Sequence, residues 1–111
     1  MRAGDVVFID FGIPAGSEPG FTRPAIVVTA DLILESRPRT IHVVPVTSNV
    51  TRSLPTEVPV HAEGLDRASV AQCHLCTVVS SARIIDTEAG QIGTTELAQV
   101  RSVLGDLLDI P

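Results

Sequence analysis

At 111 residues with 44% hydrophobic side chains, the chain suits one globular domain spanning residues 1–111, a size that buries roughly 65% of its unfolded surface. A formal charge of −5 argues against a simple electrostatic nucleic-acid binder, since such proteins are usually basic. Phe8, Phe11 and Phe21 are the only aromatic residues, so the core must be aliphatic.

The chain opens on "MRAGDVVFID", which meets acid before any apolar stretch of useful length and so predicts no secretory leader. "GDVVFIDF" (4–11) predicts a strand with apolar residues on both faces, covered once by a barrel interior and again by a neighbour or partner. "GIPAGSEPGFT" (12–22) is loop, punctuated by Gly and Pro. "RPAIVVTA" (23–30) predicts a second strand, with Pro24 tolerable near its start. The apolar region "AIVVTADLIL" is about half a membrane span and contains Asp31. These features predict a soluble, cytoplasmic chain with no membrane association. "DLILES" fits one helical turn capped by Asp31 and ending before Pro38.

"TIHVVPVTS" (40–48) predicts a third strand, in which Pro45 points to an edge or a bulge. "NVTRSLP" is loop, "TEVPVHA" a fourth short strand and "EGLD" a turn. "ASVAQCHLCTVV" (68–79) reads as a fifth strand. Beyond it the period changes: Leu97, Val100, Val103, Leu104, Leu107 and Leu108 recur at helical spacing. Thr94 is the expected N-cap, with Glu96 in the first turn.

Few residues carry recognisable chemistry. Cys73 and Cys76 form C-x-x-C, but on a strand residues three apart face opposite ways and lie about 10 Å apart, beyond disulfide reach. A zinc site would need further ligands, so both are expected to be core cysteines and no metal or cofactor is expected. His61 ends a strand and should be solvated, His42 and Thr47 should face opposite sides of theirs, and His74 should share a face with Gln72 and Cys76. No P-loop, H-E-x-x-H or G-x-S-x-G motif is present. What remains is Arg23, at the root of the Gly/Pro loop, and Thr47–Ser48 at the end of another strand. An Arg beside hydroxyl groups suits bidentate binding of a phosphate. The charge distribution agrees: residues 23–52 hold Arg23, Arg37, Arg39 and Arg52 against Asp31 and Glu35, whereas residues 84–111 hold five acids against Arg101 alone.

Together "GDVVFIDF", "GSE" followed by "RPAIVV", "VVPVTS" and "IGTTELAQVRSVLGDLL" resemble the MazF/PemK family of toxins from bacterial type II toxin–antitoxin modules. The resemblance implies a mainly β fold, a small SH3-like β-barrel of about five to seven strands with short helical turns and an amphipathic C-terminal helix, assembled as a homodimer. It implies a metal-independent endoribonuclease that cuts single-stranded RNA (mRNA, with tRNA and rRNA as further substrates) by attack of a ribose 2′-oxygen. A MazE-like antitoxin would block the groove. Arg23 and Thr47 match the family's catalytic residues, and Ser17, Glu18, Phe21, Thr22, Ser48 and His74 are the candidate RNA contacts. In the fifth strand the family often carries an acid–Gln pair followed by an aliphatic and a basic residue. Here the matching stretch is His74, Leu75, Cys76 and Thr77, which makes His74 a candidate replacement base-reader or proton acceptor. Two alternatives stand beside this reading: a CcdB-like toxin that binds gyrase and cuts nothing, and a scaffold that has lost catalysis. The helix end "LLDIP" lacks the Trp that the gyrase-binding toxin carries.

Overall fold

The computed structural model describes residues 1–51 and 54–111; Arg52, counted above in the basic region, and Ser53 of the expected loop lie outside the described residues. Seven strands are described: β1 (Val6–Asp10), β2 (Thr22–Val27), β3 (Thr40–Thr47), β4 (Glu57–Val60), β5 (Ser69–Gln72), β6 (Thr77–Ser80) and β7 (Ile84–Asp86). A single turn, α1 (Asp31–Leu34), and a C-terminal helix, α2 (Thr94–Leu107), complete the regular elements with two 3₁₀ turns. All strand pairs are antiparallel, in the order β4-β5-β3-β2-β1-β7, with β6 also on β3. Barrel closure, implied by the resemblance, is not seen among the described residues: β4 and β7 end the path and do not pair with each other.

The doubly apolar reading of β1 holds, and the chain itself covers both faces. Val6, Ile26, Val44 and Val46 pack in one cluster with Val58, Val60, Ala71 and Val100. Val7, Ile9, Ala25 and Val27 pack in a second with Ile41, Val43, Val79 and Leu34 of α1. Every one of these residues is less than 9% exposed, and each large one contributes about 1.5–3 kcal/mol by leaving water. In α2 the expected stripe is buried most deeply at Val100, with Leu97, Val103 and Leu104 partly buried, while Leu107 and Leu108 remain exposed.

Several local expectations are corrected. Pro45 lies in the central strand, not at an edge or a bulge. On one side β3 pairs β6 up to Val43 and β5 from Val46, so Pro45 falls at the gap between partners, where a missing N–H costs least. Residues 68–79 form two strands, because Cys73–Leu75 turn as a 3₁₀ helix between them. That turn corrects the expectation of two core cysteines: Cys76 N–H donates to Cys73 O at 3.1 Å, and the corner leaves Cys73 buried but Cys76 exposed. Asp31 caps nothing in α1; its carboxylate accepts from Ala3 N–H at 2.7 Å instead. The N-cap of α2 is Gly93, whose N–H donates to Glu96 Oε1 at 3.0 Å. The first-turn carboxylate reaching back satisfies that end, so Thr94 becomes the first helical residue.

Candidate active site

The loop from residue 12 to 21 is pinned at its base. Phe11 N–H donates to Phe21 O at 2.9 Å and Phe21 N–H to Gly12 O at 2.6 Å. Just above the base the two arms pack tightly, since a Cβ on Gly20 would collide with the Pro14 ring, while the tip at Gly16 is open. This closure delivers the chain into β2 with Arg23 as its second residue. β2 and β3 pair with Ala25 opposite Pro45, and the same register carried two residues further sets Arg23 across from Thr47. On the far side of β3, Val46 pairs with Ala71 and Thr47 with Val70, which places Gln72 one strand beyond.

Arg23 spans that distance. Its Nη2 donates to Gln72 Oε1 at 2.8 Å and to Val46 O at 3.3 Å. Of the five guanidinium N–H groups, the two on Nη2 are thereby taken, and no described residue accepts from Nε or Nη1. No carboxylate lies within 4.0 Å of the guanidinium among the described residues. Burial lowers its pKa from the ordinary value, yet an arginine stays protonated in a protein. The result is a half-buried cation with no counterion among the described residues.

It opens on a cleft of about 340 Å³, whose walls include Arg23, Thr47, Ser48, Asp66, Arg67 and Ser69. The Thr47 Oγ1 accepts from Asn49 N–H at 3.1 Å, which fixes the hydroxyl oxygen at the strand end and leaves its proton to donate elsewhere. Two arginines and three hydroxyl side chains around one opening can take a tetrahedral oxyanion and stabilise added negative charge on it.

The remaining candidates are not all gathered here. Ser48 lines the cleft, but His74 does not: it sits on the 3₁₀ turn, is exposed, and its Nδ1 lies 2.9 Å from Thr56 Oγ1. It lines a separate depression with Ser17, Glu18 and Cys76. The expected shared face of Gln72, His74 and Cys76 is lost with the strand, for the same reason. Thr22 begins β2 opposite Asp10. Phe21 is 68% exposed with φ 60°, a left-handed conformation that costs a non-glycine residue about 1–2 kcal/mol. His61 is solvated as expected and pairs with Glu96 at 2.8 Å. Gln72, Asp66 and Arg67 were absent from the sequence candidates. The signal for the last two was their position in the turn before β5; Gln72 had none, because its partner is fixed only by sheet order. No cluster of three metal-ligating side chains occurs among the described residues.

A profile of the PemK-like, MazF-like toxins of type II toxin–antitoxin systems matches residues 2–108. The chain belongs to this PemK/MazF family. A curated relative, endoribonuclease MazF9 of Mycobacterium tuberculosis, is 33% identical over 116 residues, covering 99% of this chain and 98% of its own. The crystal structure of MazF from Deinococcus radiodurans matches with a TM-score of 0.83 and 28% identity over 98% of this chain and 96% of that one. A MazE–MazF complex from the same organism matches with a TM-score of 0.76 and 25% identity, covering 100% and 97%. The PemK/MazF fold therefore extends through the whole candidate site, from the loop before Arg23 to the turn before β5.

Proposed function

We propose that this protein is the toxin of a type II toxin–antitoxin module, acting as a sequence-specific endoribonuclease on single-stranded RNA without a metal. The reading is supported by one observation above all: an arginine without a counterion among the described residues stands in a hydroxyl-lined cleft of a chain from a family that includes curated endoribonucleases. In the reaction a ribose 2′-oxygen attacks the adjacent phosphorus as its proton leaves. The P–O5′ bond breaks, giving a 2′,3′-cyclic phosphate and a 5′-hydroxyl. Arg23 Nη1 and Nε, with the Thr47 hydroxyl, hold the negative charge that grows on the non-bridging oxygens. A well-placed donor of this kind contributes about 3–4 kcal/mol. The cation stabilises charge rather than shuttling protons, because its pKa is too high for that.

Ser48 contacts the same phosphate, and Phe21 offers its exposed ring for base stacking, worth about 1–3 kcal/mol. Thr22, Ser17, Glu18 and His74 contact flanking nucleotides on the neighbouring surface. The working form is a cytoplasmic homodimer restrained by a MazE-like antitoxin, by analogy with the MazE–MazF complex. No described helix is long and apolar enough to cross a membrane. The gyrase-binding alternative has no support in the family match or in these relatives.

The test is incubation of the purified protein with unstructured and structured RNA in EDTA, beside Arg23→Ala. Cleavage of the unstructured RNA to cyclic-phosphate and 5′-hydroxyl ends, at least about 100-fold slower in the variant, is the expected result. Equal cleavage by a folded Arg23→Ala protein would remove Arg23 from the chemistry.

A further inference from the structure

We propose that Gln72 is the positioning residue of this site: it anchors Arg23 through a neutral acceptor and so leaves the cation's full charge for the substrate phosphate. This rests on the ribonuclease reading above. A half-buried arginine is ordinarily held by a carboxylate, which fixes its geometry and cancels its charge together. Here the two effects are separated. Gln72 is 7% exposed, and its Oε1 accepts from Arg23 Nη2 at 2.8 Å, the shorter of the two anchoring contacts. Both Nη2 protons are spent on uncharged oxygens, so the guanidinium plane is fixed while Nε and Nη1 stay free of any described partner.

Nearby acids are kept from the role. Glu57 lies directly opposite Gln72 in the β4–β5 register, so the two share a face of the sheet. Its Oε1 is engaged by Leu54 N–H at 3.2 Å, and it forms no ion pair with Arg23. Asp66 lines the cleft but stands farther than 4.0 Å from the guanidinium. Nor is Gln72 the position at which the family resemblance expects a glutamine. That position is Leu75, which lies in the 3₁₀ turn Cys73–Leu75. The 3₁₀ corner that starts at Cys73 is what ends β5 at Gln72 and separates the two positions.

Two variants separate anchoring from charge. Gln72→Met keeps the shape and removes the acceptor. Gln72→Glu keeps the acceptor and adds the counterion. Cleavage of a single-stranded RNA is measured as kcat and KM, and binding of the same RNA with a 2′-deoxy residue at the cut site is followed against salt, with thermal melting as the check on folding. Gln72→Met should lower kcat about 10- to 100-fold, the worth of one hydrogen bond to a charged group, with KM within about threefold. Gln72→Glu should melt at or above the wild-type temperature, yet bind at least tenfold more weakly. Its log–log salt slope should shrink by about 0.7, the loss of one phosphate contact on a single strand. A Gln72→Glu protein that cleaves and binds like wild type, beside an inactive Arg23→Ala, would overturn the role of Gln72 alone. A folded wild type that neither cuts nor binds RNA would overturn the ribonuclease reading and this inference with it.

Discussion

Arg23→Lys tests the reading of the site more sharply than deletion does, because it keeps the charge and changes the number and geometry of donors. The native guanidinium commits Nη2 to Gln72 and Val46 and keeps the N–H groups of Nε and Nη1 for substrate. An ammonium has three N–H groups on one atom. If it keeps both anchors it presents a single donor, and if it turns to the phosphate it gives up the contact to Gln72 and its fixed position. The first case loses two of the three substrate-facing donors and the second loses one together with the fixed position, each donor being worth on the order of 100-fold or more in the rate when aimed at developing charge. Retained charge and some re-aiming offset part of this, so single-turnover cleavage should fall by at least about 100-fold. RNA affinity should change by less than about tenfold, because the point charge survives. Single-turnover cleavage under excess enzyme, with affinity measured on an uncleavable RNA, separates these quantities. An Arg23→Lys protein cleaving within about threefold of wild type would show that charge alone suffices and that the anchored fork is irrelevant.

Four further outcomes follow from the same structure. Val100→Ala, at the most deeply buried position of α2, should cost roughly 1–3 kcal/mol in denaturant unfolding without changing the cleavage pattern. His74→Ala should alter which sequences are cut and leave the pH dependence of the rate intact, since His74 lies outside the Arg23 cleft; a flattened pH profile would make it the base after all. Burial pushes the Glu96 carboxyl up, but the Gly93 N–H and the His61 side chain outweigh it and hold it below the ordinary value. The stability this provides is full above the unfolded pKa of about 4.3 and fades as pH falls through the lower folded value, so melting curves at pH 3–6 should show an acid-side loss that Glu96→Gln lacks. Cleavage should proceed at an unchanged rate in chelator; restoration of a chelator-dead enzyme by magnesium or zinc would refute the metal-free chemistry.

The strands were legible where one physical signal dominated. β1 to β4 and α2 announce themselves by β-branched runs, Gly/Pro punctuation and a helical stripe. Failures came where a local signal competed with a tertiary one. Residues 68–79 look like one strand because nothing in "QCHLCT" marks a corner; the corner exists because β3 changes partner from β5 to β6. Pro45 looks like an edge residue until that change supplies a gap for it. Arg23 and Thr47 could be named from the loop, the strand end and the family likeness, and both line the same cleft. Gln72 could not, since its contact to Arg23 crosses an intervening strand that no sequence spacing encodes.

That Arg23 has no counterion among the described residues also makes the fold's stability a gauge of the site's occupancy. A cation that loses hydration on folding and gains only neutral partners leaves the native state less stable than a filled site would. Any oxyanion that enters the cleft, phosphate as well as RNA, then stabilises the folded chain by mass action, by about 2.7 kcal/mol at a hundredfold excess over its dissociation constant. Melting temperature should therefore climb with added phosphate in the wild type and stay level in Arg23→Ala. Occupancy of the cleft can thus be read from heat alone, without catalysis and without a cognate RNA.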